Sequence, residues 1–90
     1  MLETTLKVIN PLGLHARVAA QLVKLANQFK SDIKLTRTDN MVIADAKSIL
    51  SVLTLAAGKG VELKLTIEGI DEVEALQAIK EVFENGFGEI

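Results

Sequence analysis

The chain contains no cysteine, tryptophan or tyrosine, and it has one proline and one histidine in 90 residues. Without cysteine, neither a disulfide framework nor a thiolate metal site can form, a composition that suits a reducing cytoplasm. The only aromatic residues are Phe29, Phe83 and Phe87. None falls in an expected strand, so the stacking platform with which sheet domains bind single-stranded RNA is missing. Neither sign of charge dominates: ten basic and twelve acidic residues give a formal net charge of −2, without the concentrated positive field that nucleic-acid binding requires. No apolar run approaches the roughly 20 residues of a membrane helix, and Met1 to Lys7 lack the basic and apolar segments of a secretory signal. The acidic residues Glu72, Glu74, Glu81, Glu84 and Glu89 read as solvated helix faces. No metal site, cofactor, nucleic-acid partner or membrane insertion is therefore expected of this cytoplasmic domain.

The chain does have enough apolar residues for a core: 49% are hydrophobic against 24% charged, which excludes disorder. Its length suits a single domain over residues 1–90. Leu2, Leu6 and Val8 alternate with Glu3, Thr5 and Lys7 as a half-buried strand. After the turn residues Asn10-Pro11-Leu12-Gly13 the period changes. Val18, Leu22, Leu25 and Phe29 form a helical stripe, with Ala19, Val23 and Ala26 beside it. Ile33 and Leu35 pair across Asp39-Asn40 with Met41 to Ala44 as a hairpin. A second helix is expected within Lys47 to Ala57, stopped by Gly58-Lys59-Gly60, and Val61 to Glu68 alternate as a strand. Asp71 then caps a last helix, with Glu74 at the capping-box position and Ile70 stapling to Ala75. The order β-α-β-β-α-β-α predicts an α+β fold, an open-faced two-layer sandwich in which three helices cover one face of a four-stranded antiparallel sheet.

Chemistry concentrates at His15, in Asn10-Pro11-Leu12-Gly13-Leu14-His15-Ala16-Arg17. Histidine is the one side chain that titrates near neutrality unaided. Here it falls at or beside a helix N-cap, where the amides of Ala16, Arg17 and Val18 have no intrahelical carbonyl to bond. Those donors, the positive end of the helix dipole and the planar fork of Arg17 together suit a phosphoryl group.

These residues resemble the active-site segment of the HPr family, the histidine-containing phosphocarriers of the phosphoenolpyruvate-dependent sugar phosphotransferase system. Lys47-Ser48-Ile49-Leu50-Ser51-Val52-Leu53-Thr54-Leu55 is similar to the family's second signature, and Ala57-Gly58-Lys59-Gly60 to the turn after it. The resemblance implies that His15 accepts a phosphoryl group from phosphorylated enzyme I, on Nδ1, and passes it to enzyme IIA domains while Arg17 stabilises the charge. It implies a monomeric carrier with a covalent phosphohistidine and not an enzyme turning over free substrates. Val18 stands where the family usually has proline, which supplies one further N–H near the site.

Two further expectations concern the second helix. Ser48 is a good N-cap residue, and the resemblance adds regulatory phosphorylation there by HPr kinase/phosphorylase, with transcriptional regulators as further partners. Ser51 stands where relatives often carry glycine. A helix on one face of a sheet buries one side only, so Ile49, Leu50 and Leu53 are expected at the surface as a docking patch, bordered by Ala20, Lys24 and Asn27. Two other readings stay open. One is a nitrogen-branch or regulatory HPr paralogue, which the ending Asn85-Gly86-Phe87 faintly resembles; the other is a small-ligand-binding α+β module without phosphotransfer.

Overall fold

Alternating apolar residues build the sheet, and residues spaced by three and four build the layer above it. A computed structural model describes residues 1–89 and orders them as β1 (Leu2–Lys7), α1 (Ala16–Ala26), β2 (Asp32–Arg37), β3 (Ile43–Asp45), α2 (Ile49–Leu53), β4 (Glu62–Glu68) and α3 (Glu72–Glu84), followed by a 3₁₀ turn at Gly86–Gly88. The strands lie in the order β1-β4-β2-β3, and every neighbouring pair is antiparallel. The expected α+β open-faced sandwich is the observed fold.

Register separates the two faces. Thr4, Leu65, Leu35 and Ala44 align across the four strands, as do Leu2, Ile67 and Ile33 across three. Leu65, Leu35, Ala44, Ile67 and Ile33 are buried beneath the helices. The intervening rows, Glu3-Thr66-Lys34-Asp45 and Thr5-Lys64-Thr36-Ile43, lie on the opposite, open face. From α1 the residues Val18, Ala19, Leu22 and Ala26 enter the core, and from α3 Ala75, Ile79 and Phe83. Each large side chain taken fully from water contributes about 1.5–3 kcal/mol, so this layer holds the helices in place.

Three local expectations need correction. The second helix is five residues long, because Leu55 and Ala57 pack inward from an irregular segment in which Ala56 takes a left-handed φ of 48°. Arg37 holds that segment, donating from Nη1 to the carbonyls of Leu55 (2.9 Å) and Ala56 (3.0 Å). The hairpin's second strand starts at Ile43 and not at Met41, whose φ of 60° breaks the ladder.

Asp71 precedes α3 but makes no side-chain cap. Its carboxylate accepts instead from the amides of Lys30 and Ser31, at 2.8 and 2.9 Å, and from the Ser31 hydroxyl. Glu72 accepts from Gly69 N, while Ile70 is 88% exposed and staples nothing. The Ser31 hydroxyl, followed by the Lys30 amide, holds the Asp71 carboxyl at about 2. A carboxyl depressed in the folded state contributes stability above its unfolded pKa and loses it as pH falls through the folded one. Thermal unfolding followed against pH should therefore show this contribution intact at neutrality and fading between about pH 4 and pH 2. Asp71→Asn should lower the melting temperature at neutral pH and flatten that acid limb. An unchanged acid limb would remove Asp71 from the account.

Candidate functional site

The loop before α1 is shaped by one glycine and one buried leucine. Gly13 has φ +66°, and a Cβ there would come within 2.5 Å of the Ala57 carbonyl oxygen and 2.7 Å of Gly58 Cα. Only glycine fits this close approach. Leu14 is 6% exposed and donates its amide to the Ala57 carbonyl at 2.9 Å. The segment fastened by Arg37 thus also seats the loop that delivers His15.

His15 occupies the N-cap of α1, with φ −75° and ψ 175°, and its side chain makes no capping bond. The first amide of the helix to find a carbonyl is that of Ala19, which donates to His15 O at 2.8 Å. The N–H groups of Ala16, Arg17 and Val18 lie before it, at the positive end of the helix. Val18 itself is 1% exposed, so its side chain belongs to the core and only its amide to the site.

The imidazole does not stand alone. Its Nε2 lies 3.0 and 2.9 Å from the two carboxylate oxygens of Glu89. The same carboxylate accepts from Arg17 Nη2 at 2.7 Å and from Asn10 Nδ2 at 3.1 Å. Asn10 is fully buried and also donates to Gly13 O at 2.7 Å, tying the turn to the site. Glu89 is therefore not part of a solvated face, as its surroundings in the sequence suggest. Its side chain is 14% exposed, and the His15 and Arg17 hydrogen bonds, in that order, lower its carboxyl to about 2. Asn10 and Glu89 are the two site residues that sequence reasoning missed. The remaining signal was Gly86-Phe87-Gly88, where φ values of 58°, 54° and 76° fold the end of the chain back onto the loop.

His15 and Arg17 thus converge on a single anionic group, the Glu89 carboxylate, which the Asn10 side chain also holds. Arg17 is 78% exposed, free to swing toward a group arriving from solvent. Beside them, Pro11, Leu12, Arg17, Gly88 and Glu89 line a shallow cleft of about 280 Å³. Among the described residues no cluster of histidine and acidic side chains could hold a metal ion, and no helix is long and apolar enough to cross a membrane.

Ser48 lies at the N-cap of α2 and accepts from Ser51 N at 3.3 Å. The Ser51 hydroxyl accepts from Asp45 N at 2.9 Å, joining α2 to β3. Ile49, Leu50 and Leu53 are 39%, 75% and 37% exposed, and Leu12 in the active loop is 71% exposed. Ala20 and Lys24 on α1 and Asn27 at its C-cap are exposed, and α1 packs against α2. Asn27, the C-cap of α1, also donates from Nδ2 to Val23 O and to Lys47 O in the turn before α2.

Residues 2–85 match the family model described as PTS HPr component phosphorylation site. The chain is 47% identical over 89 residues to the phosphocarrier protein HPr of Treponema pallidum, covering 99% of both chains. A crystal structure of HPr-C-His from Thermoanaerobacter tengcongensis superposes with a TM-score of 0.94 at 39% identity, covering 100% of this chain and 99% of that one. A structure of an HPr dimer from the same organism gives a TM-score of 0.77 at 39% identity, covering 99% and 100%.

Proposed function

The chain belongs to the HPr family of phosphotransferase-system phosphocarriers, and from that premise we propose that His15 accepts a phosphoryl group from phosphorylated enzyme I and passes it to enzyme IIA domains. The observation that carries this reading is the convergence of His15, at the N-cap of α1, and Arg17 on one anion. Nδ1 is the ring nitrogen nearer the backbone and makes no hydrogen bond among the described residues, and a phosphoryl group held there draws on the positive end of α1. Arg17 neutralises its charge with a bidentate fork. The carrier is a single cytoplasmic domain over residues 1–90 that acts as a monomer. It is consumed and regenerated stoichiometrically, without turning over a free substrate.

Ile49, Leu50 and Leu53, with Ala20, Lys24 and Asn27, form the surface that both partners meet. Exposed apolar side chains beside a charged centre suit partners that dock and leave in turn. Ser48 is the regulatory position: its hydroxyl sits at the edge of this surface, and a phosphate there adds negative charge where partners approach. HPr kinase/phosphorylase supplies that phosphate, and transcriptional regulators read it.

One labelling experiment with two arms tests the proposal. Phosphoenolpyruvate and enzyme I should add one acid-labile phosphoryl group, at His15. ATP and HPr kinase should add one acid-stable group, at Ser48, and slow the first reaction. Label that survives acid in the first arm would contradict the histidine assignment. An unmodified Ser48, where a control HPr reacts, would remove the regulatory role.

A further inference from the structure

Building on His15 as the phosphoryl acceptor, we propose that Glu89 is a positioning residue for the transfer: its carboxylate holds the Nε2–H of the imidazole, so that Nδ1 presents its lone pair to the incoming phosphorus.

The geometry fixes the proton. Among the described residues the ring's hydrogen bonds all fall on Nε2, and both go to Glu89. An ionised carboxylate can only accept, so Nε2 must donate, and in the neutral ring Nδ1 is left unprotonated. A carboxylate that orients a reactive imidazole in this way fixes both tautomer and ring angle, as it does in hydrolase triads. The carboxylate occupies Nε2, the far nitrogen, and among the described residues it leaves Nδ1 without a hydrogen-bond partner.

The tail that brings Glu89 here is built to stay. Phe87 is 5% exposed and packs edge-on against Phe83 with ring centroids 4.9 Å apart. It keeps a left-handed φ of 54°, a strained conformation for a phenylalanine that persists only where packing over-determines it. Glu89 N donates to Gly86 O and Gly88 N to Asn85 O, both at 3.0 Å. The family match ends at residue 85, before this segment.

The step balances without another group. The Nδ1 lone pair forms the new N–P bond, and the bond from phosphorus to the donor's leaving atom breaks, its electron pair departing with the donor. Nδ1 has no proton to lose. The phosphorylated ring therefore keeps its proton on Nε2 and carries a positive charge, which the Glu89 carboxylate offsets. Onward transfer returns the electron pair to Nδ1 and regenerates the neutral ring.

The test compares the full chain with Glu89→Ala and Glu89→Gln, reading enzyme I-dependent phosphorylation rates and ¹⁵N–¹H spectra of the imidazole. The unmodified protein should show a proton on Nε2 that exchanges slowly with water. Glu89→Ala should lose that signal and take up phosphoryl about tenfold more slowly, the effect of one charge-assisted hydrogen bond. Glu89→Gln, which keeps an accepting oxygen, should recover part of both. A ring proton found on Nδ1, or Glu89→Ala reacting as fast as or faster than the unmodified chain, would overturn the inference and leave the role of His15 standing. Absence of any label on His15 in the unmodified chain would instead overturn the parent reading, and this inference with it.

Discussion

Replacing His15 by alanine is expected to abolish phosphoryl uptake from enzyme I while leaving the protein folded. No other side chain can substitute, because His15 is the only histidine in the chain and the proposed transfer uses an imidazole nitrogen as its nucleophile. The fold should survive because the ring makes no capping bond at α1 and contributes nothing to the buried cluster. What is lost structurally is the contact with Glu89, which retains Arg17 and Asn10. Labelled phosphoenolpyruvate, enzyme I and a thermal unfolding curve on the same sample check both halves. Residual acid-labile label on His15→Ala would place the acceptor elsewhere.

Arg17→Ala is expected to give the next largest effect, a fall in transfer rate of roughly 10²–10³-fold, the usual consequence of removing one donor aimed at developing charge. Among the described residues the guanidinium is the only cation paired with Glu89 besides the titratable His15, and it holds that anion at 2.7 Å. Arg17→Lys should lie between, since an ammonium supplies the charge without the bidentate fork. With its side chain 78% exposed, Arg17 adds little to stability, so the melting temperature should move by no more than a few degrees. Rapid-quench rates for the three proteins check the order. Equal rates would remove Arg17 from the chemistry.

How much of this could be read from the chain depended on how local each cause was. The strands β1 and β4 and the helix α1 follow from alternation and from a stripe at helical spacing, because one buried face is enough to produce each pattern. The second helix was read too long because Leu55 and Ala57 are apolar for a reason other than helical packing. They fill the core from a segment pinned by the Arg37 side chain, which comes from β2. Asp71 has the composition of a cap, yet the distant Lys30 and Ser31 compete for its carboxylate and win.

The site divides along the same line. His15 and Arg17 share one short segment, and their role rests on a local helix terminus. Asn10 resembled a turn residue and Glu89 a surface acid, because the hydrogen bonds that join Glu89 to His15 and to Asn10 span most of the chain. The two glycines around Phe87 were the only trace of the path that brings them together.

The central claim is that His15 is a relay between two proteins, and a single-turnover transfer tests it most directly. The chain is phosphorylated by enzyme I, freed of donor, and mixed with an enzyme IIA domain while the phosphoryl group on each protein is followed by intact mass. The account predicts that each phosphoryl lost from His15 appears on the enzyme IIA domain, with no inorganic phosphate released first. A phosphoryl group that stays on the chain, or leaves only to water, would contradict it.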